Sequence, residues 1–310
     1  TTSSVQSMIL TACKRGDELI LPRNVHRSVI NALVLCGAVP VYINPEVDTR
    51  LGISLGMKRE QVAKAIAEHP RAVAVLVNNP TYYGICSDLR EIVHVPMAVH
   101  PDITKVLVIG AGDGGVVREL TRYEQIRRID LVEMDELVVE ACRQYLPDNA
   151  CRLDDERVHI YFENGLKFIR RCEEEYDLII VDSNDPFGPS EGLFTREFYG
   201  NCYKALKKDG IMVNQQGSPF YAEDAHAMQR SHKRIASTFP ISRVYQAHIP
   251  TYAAGYWLFG FASKKFHPID DLDSAAWNAH HLRTRYYTTR LHIGAFYLPA
   301  FLERMLEEVE

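Results

Sequence analysis

The sequence predicts an α/β fold in which a doubly wound, mostly parallel sheet carries an antiparallel hairpin at one edge, preceded by an N-terminal βαβαβ fragment. Three observations support this fold class. Short apolar runs alternate with segments of helical periodicity along the chain. A glycine-rich loop directly follows one of these runs and opens a helix. Two late apolar runs are close in sequence, with Pro250 and Gly255 between them, and therefore predict a hairpin.

The N-terminal block contains three apolar runs and two helical patterns. Asn24 is predicted to cap a helix whose apolar positions recur at helical spacing, and Gly37 follows its end. A second helix is predicted at 59–69. The strands are predicted at 17–22, 39–44 and 72–79. Because strands alternate with helices, we expect parallel pairing and a sheet covered on both faces.

The second block repeats this alternation over a longer stretch. Strands are predicted at 105–109, 128–133, 158–162, 176–182, 211–214, 242–248 and 257–263, and helices from 115 and at 137–146, 165–171, 195–206 and 222–238. This pattern predicts a Rossmann-like sheet of the class I methyltransferase type. We therefore expect two domains, 1–91 and 92–310.

Composition restricts the class of protein further. Of the 310 residues, 46% are apolar and 24% are charged, and the net charge of -5 argues against disorder and against nucleic acid as the main partner. The longest apolar stretch, 29–43, contains Asn31, Gly37 and Pro40 and is shorter than the roughly 20 residues that span a bilayer, so we expect no membrane partner. The seven cysteines include no Cys-x-x-Cys pair, which favours reduced thiols, no metal site and a cytoplasmic location.

The loop Gly110-Ala111-Gly112-Asp113-Gly114-Gly115 lies between a predicted strand and a predicted helix. Glycines such as Gly110, Gly112 and Gly115 permit positive φ and allow a ligand to approach the backbone closely. Glu133 ends the next strand, where a carboxylate accepts hydrogen bonds from the ribose hydroxyls of a nucleoside. The combination predicts a nucleoside site, and a purely structural turn is the alternative.

Asp113 indicates which nucleoside the loop favours. A dinucleotide site presents a free helix N-terminus to pyrophosphate, and a carboxylate inside the loop would repel that group. The same carboxylate would attract a sulfonium or an amine, so the loop favours an S-adenosyl ligand over NAD. The alternative is that Asp113 only caps the following helix.

A second acidic segment follows the strand at 176–182. Asp182 and Asp185 lie in the run Asp182-Ser183-Asn184-Asp185-Pro186, at the carboxyl edge where open α/β sheets bind ligands. Free alkylamines have pKa values of about 10 and attack only when neutral, so a carboxylate beside the amine would act as a general base. The two carboxylates together would hold a diamine. The alternative is that Asp185, which precedes a proline, shapes a turn.

The segment from about Ile92 to Val309 resembles the polyamine aminopropyltransferases, the spermidine synthase family. The matching runs are HVPMAVHPDITKVLVIGAGDGG, LVEMDE, YDLIIVDSNDPFGPSEGLF, GIMVNQ and IPTYAAGYWLFGFASK. The resemblance implies transfer of the aminopropyl group of decarboxylated S-adenosylmethionine, a co-substrate and not a permanently bound cofactor, to putrescine. Spermidine and methylthioadenosine would be the products. It also implies a homo-oligomer, a dimer, that acts on a small diamine.

The resemblance implies a role for each matching residue. Asp182 would accept the proton, and Asp113 would face both the aminopropyl end and the amine. The amine substrate would also contact Asp185, Gln215 and Tyr252. The nucleoside would be bound by Gly110, Gly112, Asp113, Gly115, Glu133, Asn164, Gly165 and Pro189.

The N-terminal block resembles a different family. The runs SSVQSMILTACKRGDELILPRNVHRSVINALVLCGAVPVY and VLVNNPTYYGICSDL resemble the large pyridoxal-phosphate domain of the ornithine/lysine/arginine decarboxylases. His26 matches the histidine that stacks on the cofactor, and Thr2-Ser3-Ser4 matches the phosphate-binding turn. The family segments that supply the Schiff-base lysine and the pyridine-binding aspartate have no counterpart before Ile92. We therefore expect 1–91 to be a remnant without functional pyridoxal phosphate, and because Thr1 falls within a motif we expect a segment upstream.

Two sites depart from the aminopropyltransferase pattern. Asp88 and Leu89 stand where the family carries a Tyr-His or Tyr-Gln pair, at the end of a small β-rich domain that 1–91 does not resemble. Asn164 stands where the family usually has aspartate, at a cost on the order of 1 kcal/mol. We expect the nucleoside site to persist and amine binding to be impaired. The alternatives are a small-molecule methyltransferase, an NAD-dependent oxidoreductase, and a non-catalytic homologue that regulates an intact synthase.

Overall fold

The computed structural model describes residues 2–23, 25, 27–44, 47–48, 53–54, 57, 59–76, 91–183, 188–249 and 255–308. The chain forms two compact units, Thr1–Ser87 and Asp88–Glu310. Within the described residues, no helix combines the length and the apolar character that crossing a bilayer demands.

The first unit contains a three-stranded parallel sheet in the order β2-β1-β5. Its elements are α1 (Thr2–Ala12), β1 (Glu18–Pro22), α2 (Arg27–Cys36), β2 (Val39–Ile43), β3 (Val47–Asp48), β4 (Ile53–Ser54), α3 (Arg59–Glu68) and β5 (Ala72–Val75). Leu19 and Leu21 of β1 pack with α1 and α2, whereas Ile20 packs with Ala65 of α3. The central strand is therefore covered on both faces, and the predicted parallel βαβαβ arrangement is confirmed.

Helix α1 and the short β3–β4 hairpin were not predicted from the sequence. In α1, Ile9 is buried while Met8 and Leu10 are exposed, so its apolar residues do not mark one face. Gly37 follows α2 with φ +70°, as expected for a helix C-terminus. The predicted cap Asn24 and the end of the predicted strand at 77–79 lie outside the described residues.

The second unit is built on a seven-stranded sheet in the order β11-β12-β10-β9-β6-β7-β8. The strands are β6 (Lys105–Gly110), β7 (Arg128–Glu133), β8 (Val158–Phe162), β9 (Tyr176–Asp182), β10 (Leu206–Gly217), β11 (Ile241–His248) and β12 (Tyr256–Ser263). Strands β10, β9, β6, β7 and β8 are parallel, and β12 pairs antiparallel with both β10 and β11. The predicted parallel sheet with an antiparallel edge hairpin is confirmed.

Helices cover both faces of this sheet. They are α4 (Glu91–Met97), α5 (Gly115–Leu120), α6 (Glu136–Tyr145), α7 (Pro147–Ala150), α8 (Gly165–Ile169), α9 (Arg196–Ala205), α10 (Ala222–Ala236), α11 (Ser274–Ala279), α12 (Thr289–Ala295) and α13 (Ala300–Glu307), with a 3₁₀ helix at Gly188–Phe194. On one face Val108 and Ile180 pack with α4 and α5, and on the other Ile109 and Val181 pack with α8 and α9. Successive residues of the central strands are therefore buried in the hydrophobic cores on opposite faces of the sheet, which explains why the strands are apolar throughout.

Helix α4 and the C-terminal helices α11–α13 are absent from the sequence prediction. Residues 92–100 are all buried, so α4 shows no polar face, and Pro96 lies inside it. His94 Nδ1 lies 2.7 Å from the Tyr123 hydroxyl, and Trp277 of α11 donates to the same hydroxyl at 2.9 Å. Buried polar contacts between segments distant in sequence therefore tie α4 and α11 to the fold.

Gly110 ends β6 at a close approach to β9. Its φ is +83°, and a Cβ here would overlap the carbonyl oxygen of Asp182. We expect Gly110→Ala to lower the free energy of unfolding by about 3 kcal/mol, because left-handed strain adds to the displacement of β9. Trp257 and Trp277 both lie in the second unit, so urea titration followed by tryptophan fluorescence measures this unit.

Gly200→Ala is the matched control for this substitution. Gly200 lies in α9, and an added Cβ meets no atom within 4 Å. Because alanine is the better helix former, we expect no loss and a gain of up to about 1 kcal/mol. Equal stability of the two variants would contradict the close approach at Gly110.

Candidate active site

The loop between β6 and α5 has a left-handed backbone at three positions. Gly110 and Gly114 both have φ +83°, and Ala111 has φ +58° although it carries a Cβ. The N–H of Ala111 donates to the carbonyl oxygen of Asp182 at 3.1 Å, which holds this residue in place. A non-glycine residue in this region costs about 1–3 kcal/mol and is often found where a binding site is pre-organised.

Glu133 ends β7 with its carboxylate beside this loop. Its Oε1 accepts hydrogen bonds from the backbone N–H groups of Met134 at 2.7 Å and Asp135 at 3.1 Å. Its Oε2 lies next to Gly112, where an added Cβ would be 2.8 Å from that oxygen. The absence of a side chain at Gly112 therefore makes room for the carboxylate.

Asp113 is held by two hydrogen bonds. Its Oδ1 accepts from the N–H of Gly115 at 3.3 Å, and its Oδ2 accepts from Asn149 Nδ2 of α7 at 3.2 Å. Burial raises the pKa of the Asp113 carboxyl above its usual value. The alternative that Asp113 caps α5 is not what the structure shows, because Gly114 occupies the N-cap position and the helix has no side-chain cap hydrogen bond. The bond from the Gly115 N–H is nevertheless a contact between Asp113 and the first turn of α5.

Asp182 ends β9 directly opposite Gly110 in the strand register. Burial raises the pKa of Asp182 to about 7, and the negative charges of Asp113 and Glu133 act in the same direction. Three carboxylates thus converge at the carboxyl ends of the adjacent strands β9, β6 and β7. Such a cluster is matched to a positively charged ligand.

Gln215, near the end of β10, contacts Asp182. Its Nε2 donates a hydrogen bond to Asp182 Oδ1, and its Oε1 accepts one from the indole Nε1–H of Trp257 at 3.0 Å. Sequence analysis missed Trp257 and Asn149. Trp257 stands in the matching run IPTYAAGYWLFGFASK, on a predicted strand of the edge hairpin, which was an available signal. Asn149 had none, because α7 was not predicted.

Asn164 and Gly165 lie at the start of α8. Asn164 caps this helix by accepting the N–H of Lys167 at 3.2 Å, and its oxygen retains a second lone pair for a ligand. An added Cβ on Gly165 would be 2.5 Å from Ile109 Cγ2, so this glycine lets α8 pack on β6. The preceding Glu163 donates its N–H to the Glu133 carbonyl oxygen at 3.1 Å, which places this segment beside the end of β7.

The remaining predicted positions are described in part or not at all. Pro189 lies in the 3₁₀ helix Gly188–Phe194, and its side chain is not among the described features. Thr2-Ser3-Ser4 lies in the first turn of α1. Outside the described residues are Asp185, Tyr252, His26, Asp88 and Leu89.

A metal ion and pyridoxal phosphate would each require particular side chains. Among the described residues, no group of three or more His, Cys, Asp or Glu side chains is arranged to hold a metal ion. In the described part of the first unit, Lys14 and Lys64 are exposed, and Lys64 lies 3.7 Å from Glu68 in an ion pair. A Schiff-base lysine is activated by a desolvated pocket, which neither residue occupies.

Two segments of the chain are similar to known protein families. The Spermine/spermidine synthase domain matches residues 87–272, and the major domain of Orn/Lys/Arg decarboxylase matches residues 1–108. A polyamine aminopropyltransferase of Alkaliphilus oremlandii (strain OhILAs) is 66% identical over 219 residues, which is 71% of this chain and 77% of that protein.

Two solved structures are similar to the chain. A spermidine synthase in complex with the transition state analogue AdoDATO has a TM-score of 0.69 at 40% identity. The match covers 71% of this chain and 75% of the spermidine synthase chain. The spermidine synthase from Thermotoga maritima has a TM-score of 0.68 at the same identity and coverage. The chain belongs to the spermine/spermidine synthase family.

Proposed function

We propose that the second unit transfers the aminopropyl group of decarboxylated S-adenosylmethionine to putrescine, giving spermidine and methylthioadenosine. The observation that carries this proposal is the convergence of Asp113, Glu133 and Asp182 at the ends of three adjacent strands. A donor with a sulfonium and an amine, together with a cationic acceptor, would favour the ionised forms of these three carboxyl groups. Membership of the family supports the reaction class.

The donor would lie across the glycine loop. Glu133 would accept hydrogen bonds from the ribose hydroxyls through the carboxylate that Met134 and Asp135 hold in place. Gly110, Gly112 and Gly115 would allow the nucleoside to approach the backbone, and the adenine would lie near Asn164, Gly165 and Pro189. Asp113 would face the sulfonium and the aminopropyl chain, whose positive charge favours the ionised carboxylate.

Asp182 would act as the general base. The amine nitrogen attacks the methylene carbon bound to sulfur, so a C–N bond forms while the S–C bond breaks and its electron pair neutralises the sulfonium. The amine proton goes to Asp182, whose pKa of about 7 suits a base that works near neutral pH. Asp185, Gln215 and Tyr252 would hold the remainder of the amine.

The finer features of the activity are part of the same proposal. Asp88 and Leu89 offer no aromatic pair to the amine, so we infer that the acceptor is bound less well than the nucleoside. The unit would act as a homo-oligomer, a dimer, in the cytoplasm. The first unit would contribute no decarboxylase activity, because the family segment that supplies the Schiff-base lysine has no counterpart before Ile92.

Asp182→Asn tests the assignment of the base. An amide cannot accept the amine proton, so we expect kcat for methylthioadenosine release to fall about 10²–10⁴-fold. The affinity for methylthioadenosine should change less than about threefold, because the nucleoside contacts remain. Steady-state assays with decarboxylated S-adenosylmethionine and putrescine, combined with calorimetry, measure both quantities.

The matched control for this substitution is Asp154→Asn. The Asp154 side chain is 81% exposed and pairs at 2.6 Å with Arg143, which is not a residue of the proposed site. It should retain wild-type kcat. A wild-type kcat in Asp182→Asn itself would remove Asp182 from the proposed mechanism.

Gly112→Ala tests the nucleoside half of the site. The added methyl would displace the Glu133 carboxylate, so we expect the Kd for methylthioadenosine to rise about 5–150-fold, which corresponds to a loss of about 1–3 kcal/mol. Isothermal titration calorimetry measures this change. Gly294→Ala in α12, where an added Cβ meets no atom within 4 Å, should bind as the wild type does. The absence of binding in the folded wild-type protein would end the nucleoside assignment.

A further inference from the structure

Trp257 reaches the proposed base through a single intermediate side chain. Gln215 pairs with Phe259 in the β10–β12 ladder, and the register shifts between Gln215 and Gly217. Across this irregularity the Trp257 indole donates its Nε1–H to Gln215 Oε1 at 3.0 Å, while Gln215 Nε2 donates to Asp182 Oδ1. The three side chains form one chain of hydrogen bonds with a defined direction.

The direction matters because the two ends of a glutamine amide are nearly equal in shape but opposite in hydrogen bonding. The nitrogen only donates and the oxygen only accepts. An indole N–H is a donor that cannot accept, so it selects the orientation in which the amide oxygen faces Trp257. The nitrogen must then face Asp182, where it stabilises the ionised carboxylate.

We propose that Trp257 is a positioning residue for the transfer reaction, holding the Gln215 amide in the orientation that presents its nitrogen to Asp182. This inference rests on the proposed function in so far as Asp182 is the general base. Without the indole, the amide can rotate and present its oxygen to the carboxyl, an arrangement that is favourable only when Asp182 is protonated.

The other groups that face Asp182 disfavour its ionised form, so the orientation of the Gln215 amide affects its ionisation. Asp113 in the loop after β6 and Glu133 at the end of β7 are negative and disfavour the ionised form of Asp182, as does burial. The Gln215 amide, on β10, acts in the opposite direction and lowers the pKa of Asp182. A base has to be ionised before it can accept the amine proton, so the amide counteracts the surrounding carboxylates.

The test is a pH titration of Asp182 in the free protein, without either substrate. Aspartate labelled with ¹³C at Cγ is observed by NMR, and the spectrum of Asp182→Asn identifies the resonance. We expect Trp257→Phe to raise the midpoint by about one pH unit, which corresponds to loss of one hydrogen bond to a charged group. Trp277→Phe is the matched control, because its indole donates to Tyr123 and should leave the midpoint unchanged.

A double-substitution cycle shows whether Trp257 acts through Gln215. Gln215→Met removes the amide and should itself raise the midpoint, and adding Trp257→Phe to this variant should then have no further effect. An unchanged midpoint in Trp257→Phe, or an equal shift in the Gln215→Met background, would overturn the proposal. In the wild type, the ¹⁵N indole resonance of Trp257 should follow the Asp182 titration while that of Trp277 does not, and a Trp257 resonance that ignores the titration would also overturn it.

The activity profile separates this proposal from the proposed function. The acidic limb of kcat/KM for aminopropyl transfer should move upward with the NMR midpoint in Trp257→Phe. A shifted NMR midpoint in a protein without transferase activity would show that Trp257 orients the Gln215 amide towards Asp182, and would refute the proposed reaction. An unshifted midpoint in an active enzyme would refute the role of Trp257 and leave the proposed reaction standing.

Discussion

The contact between the end of β6 and the end of β9 determines the rest of the site. Gly110 lies so close to Asp182 that a Cβ would overlap the Asp182 carbonyl oxygen, and the Ala111 N–H donates to that same oxygen. This contact fixes where the loop begins and therefore where Asp113 lies relative to Asp182. Gly110 suits the end of β6 because a residue with a Cβ would overlap β9 there.

The consequence is an accumulation of carboxyl groups around Asp182, in which the positive charge of Arg118 acts on Asp113 and opposes the rise of its pKa. In the described residues around Asp182, the neighbouring carboxyls are Asp113 and Glu133, and the opposing contribution is one amide. Such a cluster disfavours the ionised state of its most buried member and so lowers the stability of the free protein at neutral pH. A cationic ligand relieves the repulsion, so the charge that is costly in the free protein becomes the source of binding specificity. Sites built for function commonly carry this kind of local cost.

Much of the fold could be predicted because the central strands are buried on both faces. Strands β7, β8 and β9 were predicted with the bounds that the structure has, since continuous apolar runs between helical patterns have few other interpretations. Helix α4 could not be found in this way, because its residues 92–97 are all buried and show no amphipathic period. The short helices α11–α13 depend on contacts with residues far away in sequence, which local patterns do not encode.

The site residues that could be predicted from the sequence pattern are those at the ends of strands. Glu133 and Asp182 end their strands, and the sheet topology brings them to one edge. Trp257 was missed because its hydrogen bond joins side chains 42 positions apart across an irregular register. Asp185 and Tyr252 stay predictions, since both lie outside the described residues.

The central claim is that this acidic edge holds a positively charged sulfur donor. One calorimetric series tests it directly by comparing decarboxylated S-adenosylmethionine with methylthioadenosine, which keeps the adenosine part but has neither the sulfonium nor the amine. We predict at least about tenfold tighter binding of the cationic ligand, and a smaller ratio in Asp113→Asn, because the attraction depends on that charge. Equal affinities in the wild type, or a ratio that Asp113→Asn leaves unchanged, would contradict the account.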